Sequence, residues 1–147
     1  LYETAAIVLH LADTFPQAGL APSLGTRERA QLYKWLVWLT NTLQAEMMVF
    51  FYAQRWADTP EAIAQVKAHA QARIETMVDQ LEAELARHGG PWFLGERFSL
   101  LDPYVLMLGR WTRNMARPAR TLPHLAPYLQ RVHARPAVQR GLTVPAG

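Results

Sequence analysis

FLGERFSLLD, residues 93–102, contains a turn that leads directly into a helix, and this transition indicates the architecture of the whole chain. Ser99 is spaced to accept a hydrogen bond from the Asp102 amide, while the Asp102 carboxylate reaches back to the Ser99 amide. This reciprocal arrangement is a capping box in which Asp replaces the commoner Glu or Gln. We therefore predict a helix that begins at Ser99 and continues through Trp111 and Met115.

Two further helices are predicted near the start of the chain. The first spans residues 2–13 and is stopped by Phe15-Pro16, and the connector 17–25 that follows contains glycine and proline. The second begins at Thr26, whose hydroxyl suits an N-cap, and its apolar residues occupy more than one face. Such a helix must be covered on several sides, either at the centre of a bundle or at an interface. Its apolar residues are Leu32, Trp35, Leu36, Trp38, Leu39, Leu43, Met47, Phe50 and Phe51.

A long helix with one apolar stripe is predicted between Thr59 and Gly89. Thr59 is a suitable N-cap followed by proline, and Gly89 supplies the left-handed residue that ends a helix. Short helices are predicted over residues 122–132 and 135–141. No segment alternates with the period of two that is typical of strands. The predicted fold class is therefore all-α, a bundle of five to seven helices.

Composition excludes several classes of protein. The chain has 147 residues, of which 50% are hydrophobic and 18% charged, enough for one domain with a sizeable core. It contains no cysteine, which excludes a thiolate zinc site and a cysteine nucleophile in this segment. The five histidines lack ligand spacing, so we predict no metal site. A charge of +3 and the lack of a long apolar run argue against nucleic-acid and membrane partners. No basic leader is present, and we expect an interior or C-terminal fragment of a soluble, cytoplasmic protein.

Charge is unevenly distributed along the chain. After Asp102 there are seven arginines and no acidic residue. This region is either a solvated helical face or a local positive potential that attracts an anionic ligand. On the long predicted helix, Asp79, Glu82 and Glu84 are interpreted as a solvated face.

Four stretches, in this order, resemble the C-terminal helical region of cytosolic glutathione transferases. They are LYETAAI at residues 1–7, GTRERA at 25–30, the turn and capping box at 93–102, and ARPAVQ at 134–139. The resemblance implies three segments. Residues 1–16 correspond to the end of a thioredoxin-like domain with its third helix, 17–25 to a linker, and 26–147 to the all-helical C-terminal domain.

The resemblance also implies site residues. The acidic and hydroxyl residues that hold the γ-glutamyl part of glutathione in the family match Glu3 and Thr4, which otherwise merely cap the helix. Free amides at a helix N-terminus suit a carboxylate, so this assignment is physically reasonable. A histidine of the bacterial beta class matches Gln44, which cannot carry a proton near neutral pH but can donate a hydrogen bond.

An apolar cleft for the second substrate is implied beside the long helix and the capped helix. Its candidate residues are Met48, Tyr52, Trp111 and Met115, since large polarizable side chains suit aromatic electrophiles. The alternative for each is packing in the core or in a dimer interface. Trp35 and Trp38 are interpreted as core or interface residues.

The leading functional hypothesis is a glutathione transferase with glutathione as co-substrate and a hydrophobic electrophile as its partner. The alternatives are a glutathione-dependent reductase or peroxidase of the same fold, and a non-catalytic interaction module. The family's thiol-activating Tyr, Ser or Cys lies in a part that these residues do not contain. We therefore expect the intact protein to be an enzyme, this fragment alone to be inactive, and the protein to form a two-fold homodimer through the long helix.

Overall fold

The computed structural model describes residues 1–143, which fold into α-helices joined by short turns. The predicted all-α class is confirmed, with seven α-helical segments in this part of the chain. Within it, the one β-type contact is an isolated bridge between Trp92 and Gly95. Residues 144–147, the end of the predicted C-terminal domain, lie outside the described residues. The helices are α1 (Thr4–Thr14), α2 (Arg27–Trp38), α3 (Ala45–Phe51), α4 (Pro60–His88), α5 (Leu101–Trp111), α6 (Leu125–His133) and α7 (Pro136–Thr143).

α2 and α3 form one continuous long helix, because a π-helical turn over Leu39–Gln44 joins them. Thr26 begins this long helix as predicted, since its hydroxyl oxygen accepts a hydrogen bond from the Arg29 amide at 3.1 Å. Six of the predicted apolar residues are buried, which favours the central position over an interface for most of the helix. Trp38 is half-buried and Phe51 is 42% exposed. The buried residues are Leu32, Trp35, Leu36, Leu39, Leu43 and Met47.

α4 has the predicted ends and the predicted single stripe. The Thr59 hydroxyl oxygen accepts a hydrogen bond from the Ala62 amide at 3.3 Å, and Gly89 ends the helix with a φ angle of 64°. Pro60 is tolerated in the first turn because its missing N–H would have no partner within the helix. The five most buried residues of the stripe face the core, while Ile63 and Val66, nearer the start of the helix, are half-buried. The buried members are Ala70, Ile74, Val78, Leu81 and Leu85.

The capping box before α5 is confirmed in one direction and wrong in the other. The Ser99 amide donates to Asp102 Oδ2 at 2.7 Å, as predicted. The Asp102 amide, however, donates to the Ser99 carbonyl oxygen at 3.2 Å. The Ser99 hydroxyl accepts instead from the Leu101 amide at 3.3 Å. Because the first turn is wound with an i to i+3 bond, the backbone carbonyl takes the amide that the hydroxyl was predicted to bind.

α5 is shorter than predicted, since it ends at Trp111 and a short 3₁₀ turn follows. The Thr112 hydroxyl donates to the Gly109 carbonyl oxygen at 2.6 Å and accepts from the Ala119 amide at 2.8 Å. A side chain that bonds to its own turn in this way competes with the helical hydrogen bonds. Met115 therefore lies in extended backbone, buried in the core, rather than on the helix.

The Asp102 carboxylate joins three parts of the fold. In addition to Ser99, it binds the Phe93 amide at 2.9 Å and the Tyr128 hydroxyl at 2.8 Å, both through Oδ1. Burial raises the pKa of Asp102, although the hydrogen bonds that its carboxylate accepts act in the opposite direction. Through this one side chain, the turn before α5, the first turn of α5 and the side of α6 are held together.

Of the three acidic residues of α4 that were interpreted as a solvated face, Asp79 is exposed, whereas Glu82 is half-buried and the interpretation is wrong for it. Glu82 accepts hydrogen bonds from the amides of His124 and Leu125, each at 2.8 Å, and thereby caps the N-terminus of α6. Asp79 forms an ion pair with Arg117. Sequence periodicity places both carboxylates outside the apolar stripe but does not show which distant donors they meet. Glu84 pairs with Arg87 one turn along the same helix.

Arginines of the C-terminal region also bind within the chain, a role that neither sequence interpretation included. Arg131 donates to the Pro91 carbonyl oxygen at 2.8 Å. The Arg135 guanidinium carbon lies 3.7 Å from the centre of the Phe98 ring. These contacts attach α6 and the start of α7 to the turn that precedes α5.

Candidate functional site

The long helix and α5 lie side by side, and two contacts between them define what we call the central seam. At one end, the Tyr104 hydroxyl donates a hydrogen bond to Gln44 Oε1. At the other end, the rings of Phe51 and Trp111 meet edge to face, with centroids 6.2 Å apart and planes at 80°. The two contacts are seven residues apart along both helices, so the helices run in the same direction. The polar and aromatic ends are therefore about 10 Å apart.

The π-helical turn decides which residues of the long helix reach the seam. A π turn contains an extra residue, which rotates everything after it by about 100° relative to a regular α-helix. Gln44 is the last residue of this turn. Within the turn, the Thr40 hydroxyl donates to the Leu36 carbonyl oxygen at 3.0 Å, a contact of the kind that bends helices. A pattern search with a period of 3.6 does not include this rotation.

Glu3 and Thr4 lie where α1 begins, and the Glu3 side chain does not cap its own helix. Glu3 has a φ angle of 68°, the one positive value for a residue other than glycine among residues 1–143. Such a conformation costs about 1–3 kcal/mol and persists where the surrounding structure imposes it. The first-turn amides of α1 have no partners within the helix, as at any helix N-terminus. The Glu3 carboxylate and the first-turn amides of α1 are therefore both available to a ligand.

Tyr104 connects the Glu3 region with Gln44, and sequence reasoning did not find it. Burial raises the pKa of Tyr104 to about 12, and the negative charge of Glu3 contributes to the increase. Tyr104 therefore keeps its proton at neutral pH and acts as a donor to Gln44. The sequence does contain a signal for Tyr104, because it lies two residues after Asp102, in the first turn of a capped helix. A tyrosine buried there usually requires a hydrogen-bond partner for its hydroxyl.

The remaining predicted site residues are divided between the seam and other places. Met48 is half-buried one turn after Gln44, on the same side of the helix. Tyr52 is 42% exposed at the end of α3, and the Arg55 guanidinium lies over its ring at 4.6 Å. Met115 belongs to the core. The structure thus brings Gln44 and Trp111 to the seam, where Phe51 joins them, and the charge of Glu3 acts on Tyr104 at its polar end. Met115 lies in the core instead.

A cavity of about 680 Å³ lies on another side of α5, between that helix and α7. Trp111 borders both this cavity and the central seam. The cavity walls are mainly apolar and include Leu106, Met107 and Val138. A larger hollow of about 1010 Å³ near the start of α2 has a mixed charged lining and contains none of the predicted site residues.

Two properties of residues 1–143 concern membranes and metals. None of the helices found there combines the length and the apolar character needed to cross a bilayer. No group of three His, Asp or Glu side chains in that part of the chain is arranged to hold a metal ion.

Known proteins resemble this chain over almost all of its length. The family described as glutathione S-transferase, C-terminal domain, matches residues 44–136. GstA, a glutathione S-transferase of Escherichia coli O157:H7, is 28% identical over 144 residues, which cover 97% of this chain and 67% of that protein. A glutathione transferase homolog from Sulfitobacter with bound glutathione superimposes with a TM-score of 0.85 at 27% identity, covering 97% of this chain and 67% of that one. A sphingomonad glutathione S-transferase complexed with glutathione has a TM-score of 0.79 at 31% identity, with 97% and 66% covered.

The fold and these similarities first define a class, the all-helical domains of glutathione transferases. The chain belongs to the glutathione S-transferase family, with residues 44–136 matching the family's C-terminal domain. The resemblance found in the four sequence stretches is thereby confirmed. The chain spans about two thirds of the length of the relatives described above.

Proposed function

We propose that this chain supplies the helical, substrate-side domain of an enzyme that joins glutathione to a hydrophobic electrophile. In that reaction the glutathione thiolate attacks an electrophilic carbon, a carbon–sulfur bond forms, and the bond to the leaving group breaks. The observation that carries the proposal is the central seam, which has an amide and a tyrosine at one end and two aromatic rings at the other, with the charge of Glu3 acting on the polar end. A conjugating enzyme needs this combination, because its two substrates differ in polarity.

The polar end suits the γ-glutamyl part of glutathione. The Glu3 carboxylate is exposed and makes no capping bond, so it is available for the ligand's ammonium group. The Thr4 hydroxyl and the first-turn amides of α1 are suited to the ligand's α-carboxylate, which the positive end of the helix dipole also favours. Gln44 contributes the donor capacity of its amide.

The aromatic end suits the electrophile. Phe51 is 42% exposed and Trp111 is half-buried, so both rings have surface left for a ligand after they have packed on each other. Met48 lies between the polar and aromatic ends, and its flexible thioether adapts to substrates of different shape. Met115 is left out of this assignment because it belongs to the core, and Tyr52 because its ring is already covered by the Arg55 guanidinium.

We further propose the division of the chain into 1–16, 17–25 and 26–147 that the resemblance implies. In support, α1 is apolar on two sides. One side packs on the core, with Ala12 buried, while Ile7, Leu11 and Phe15 on the other side are between 37% and 49% exposed. An exposed apolar side of this kind suits contact with a thioredoxin-like domain, which would also hold the group that activates the thiol.

The homodimer remains a proposal that concerns the long helix. Tyr33 and Val37 are one turn apart on α2 and are 40% and 54% exposed, which leaves an apolar strip outside the core. An isologous contact would bring the same strip of two copies together across a two-fold axis. A cytoplasmic location is likewise proposed from the family. Analytical ultracentrifugation tests the dimer, since Val37→Glu should shift its mass toward the monomer, whereas Ala68→Glu at an exposed position of α4 should not.

The function is tested with glutathione and S-hexylglutathione, titrated into the 15N-labelled chain and followed by NMR. We expect glutathione to shift the resonances of Thr4 and Gln44, and the hexyl group to shift the Trp111 indole in addition. The indole signal is assigned by its loss in Trp111→Phe. Shifts that avoid the seam would contradict the proposed site. Conjugation of an aromatic chloride by the 147-residue chain alone would contradict the proposed division of labour.

A further inference from the structure

The hydrogen bond between Tyr104 and Gln44 determines the orientation of the Gln44 amide. A carboxamide has one oxygen, which accepts, and one nitrogen, which donates two hydrogen bonds. The tyrosine hydroxyl donates to the oxygen. The nitrogen of Gln44 consequently points the other way, and the hydrogen bond from Tyr104 is the one that the Gln44 side chain makes within residues 1–143. Gln44 is half-buried, so this nitrogen is open to a ligand.

The surroundings make this orientation stable. Tyr104 is 4% exposed and lies in the first turn of α5, next to the Asp102 contacts that fix that turn. The two bonded residues are 60 positions apart in sequence, so their contact depends on the packing of α5 against the π-helical turn. Burial and the negative charge of Glu3 both raise the pKa of Tyr104, so its hydroxyl keeps the proton that it donates to Gln44.

We propose that Tyr104 is a positioning residue of the glutathione site, which holds the Gln44 amide so that its N–H groups donate to an oxygen of the bound tripeptide. This inference rests on the proposed function and adds a residue to it. Tyr104 itself is buried and acts through Gln44. In its absence the amide of Gln44 rotates, and its oxygen faces the acceptor oxygen of the ligand in part of the population.

The test is a double-mutant cycle on glutathione binding, measured by NMR titration of the full 147-residue chain. Tyr104→Phe removes only the hydroxyl, and Gln44→Met keeps the length of the side chain but removes the amide. We expect each single exchange to weaken binding by about fivefold, the effect of one hydrogen bond. We also expect the double variant to be no weaker than Gln44→Met, because Tyr104 then has no amide left to position.

Tyr33→Phe is the control for the loss of a tyrosine hydroxyl, since Tyr33 is exposed on α2 beside Arg29. It should leave glutathione affinity unchanged. If Tyr104 had a merely structural role, Tyr104→Phe would weaken binding by the same factor with and without the Gln44→Met exchange, and that result would overturn the inference. If Tyr104→Phe left glutathione binding unchanged, only the positioning role of Tyr104 would be overturned. If the unmodified chain did not bind glutathione, the proposed function would be overturned as well.

Discussion

Replacing Asp102 with alanine removes the acceptor shared by the turn before α5, the first turn of α5 and α6. The carboxylate accepts hydrogen bonds from the amides of Phe93 and Ser99 and from the Tyr128 hydroxyl, at 2.9, 2.7 and 2.8 Å. All three donors are buried, and alanine leaves each without its partner. An unsatisfied buried donor costs about 1–3 kcal/mol. Because the costs are not additive and the site relaxes in part, we expect about 4 kcal/mol of lost unfolding free energy.

The assay is urea unfolding at neutral pH, followed by far-UV circular dichroism, with the slope of free energy against urea compared between variants. For a chain of this size, the same loss corresponds to a decrease in melting temperature of about 12 °C. Two variants calibrate the result. Tyr128→Phe removes one donor and leaves the carboxylate with its other bonds, so it should cost about 1 kcal/mol. Asp58→Ala changes an exposed acid and should stay within about 0.5 kcal/mol.

The reasoning would be refuted by an Asp102→Ala variant that is no less stable than Asp58→Ala. It would also be refuted if Tyr128→Phe cost as much as Asp102→Ala, because the tyrosine contact would then account for the whole effect. An unchanged slope is required for either comparison, since a changed slope indicates a change in the unfolded or native ensemble rather than in one interaction.

Three further predictions each concern a single residue. Burial raises the pKa of Glu82, but the hydrogen bonds from His124 and Leu125 outweigh burial, so the pKa is lowered overall. The stabilisation that Glu82 provides is therefore complete above the ordinary glutamate pKa and is lost as the pH falls through the lowered value. Glu82→Gln should therefore cost about 1–2 kcal/mol at pH 7, and urea unfolding of the two proteins should converge in acid. Glu3→Gln should weaken glutathione binding by about tenfold in NMR titration, because it removes the charge that pairs with the ligand's ammonium group. Glu61→Gln, in the first turn of α4, is the control and should leave binding unchanged. Equal affinities for wild type and Glu3→Gln would show that Glu3 is not part of the site. Gly89→Ala should cost about 1–2 kcal/mol in urea unfolding, because the φ angle is 64° although no atom lies within 4 Å of the added methyl. Gly141→Ala within α7 should instead be neutral or stabilising, and a similar loss for both would contradict the conformational explanation.

Much of the candidate site followed from the resemblance rather than from periodicity. The acid and hydroxyl at the start of α1, and Gln44 on the long helix, were identified by matching motifs, and the charge of Glu3 acts on Tyr104, which donates to Gln44. The prediction of Met115 as a cleft residue relied on α5 continuing past Trp111. Thr112 ends the helix by bonding to Gly109 and Ala119, and a contact to a residue seven positions ahead has no periodic signature.

The amino-acid sequence alone determined the helical class and most helix ends. Thr26, Thr59 and Gly89 act on residues within one helical turn, and apolar spacing along a single helix reports which of its faces is buried. Tertiary structure alone decided the contacts between distant segments. Tyr104 meets Gln44 across 60 positions, and Glu82 caps α6 across 42. The reason is that a cap requires only neighbours in sequence, whereas the partner of a polar side chain between helices depends on how those helices pack, and here on the rotation that one π-helical turn introduces.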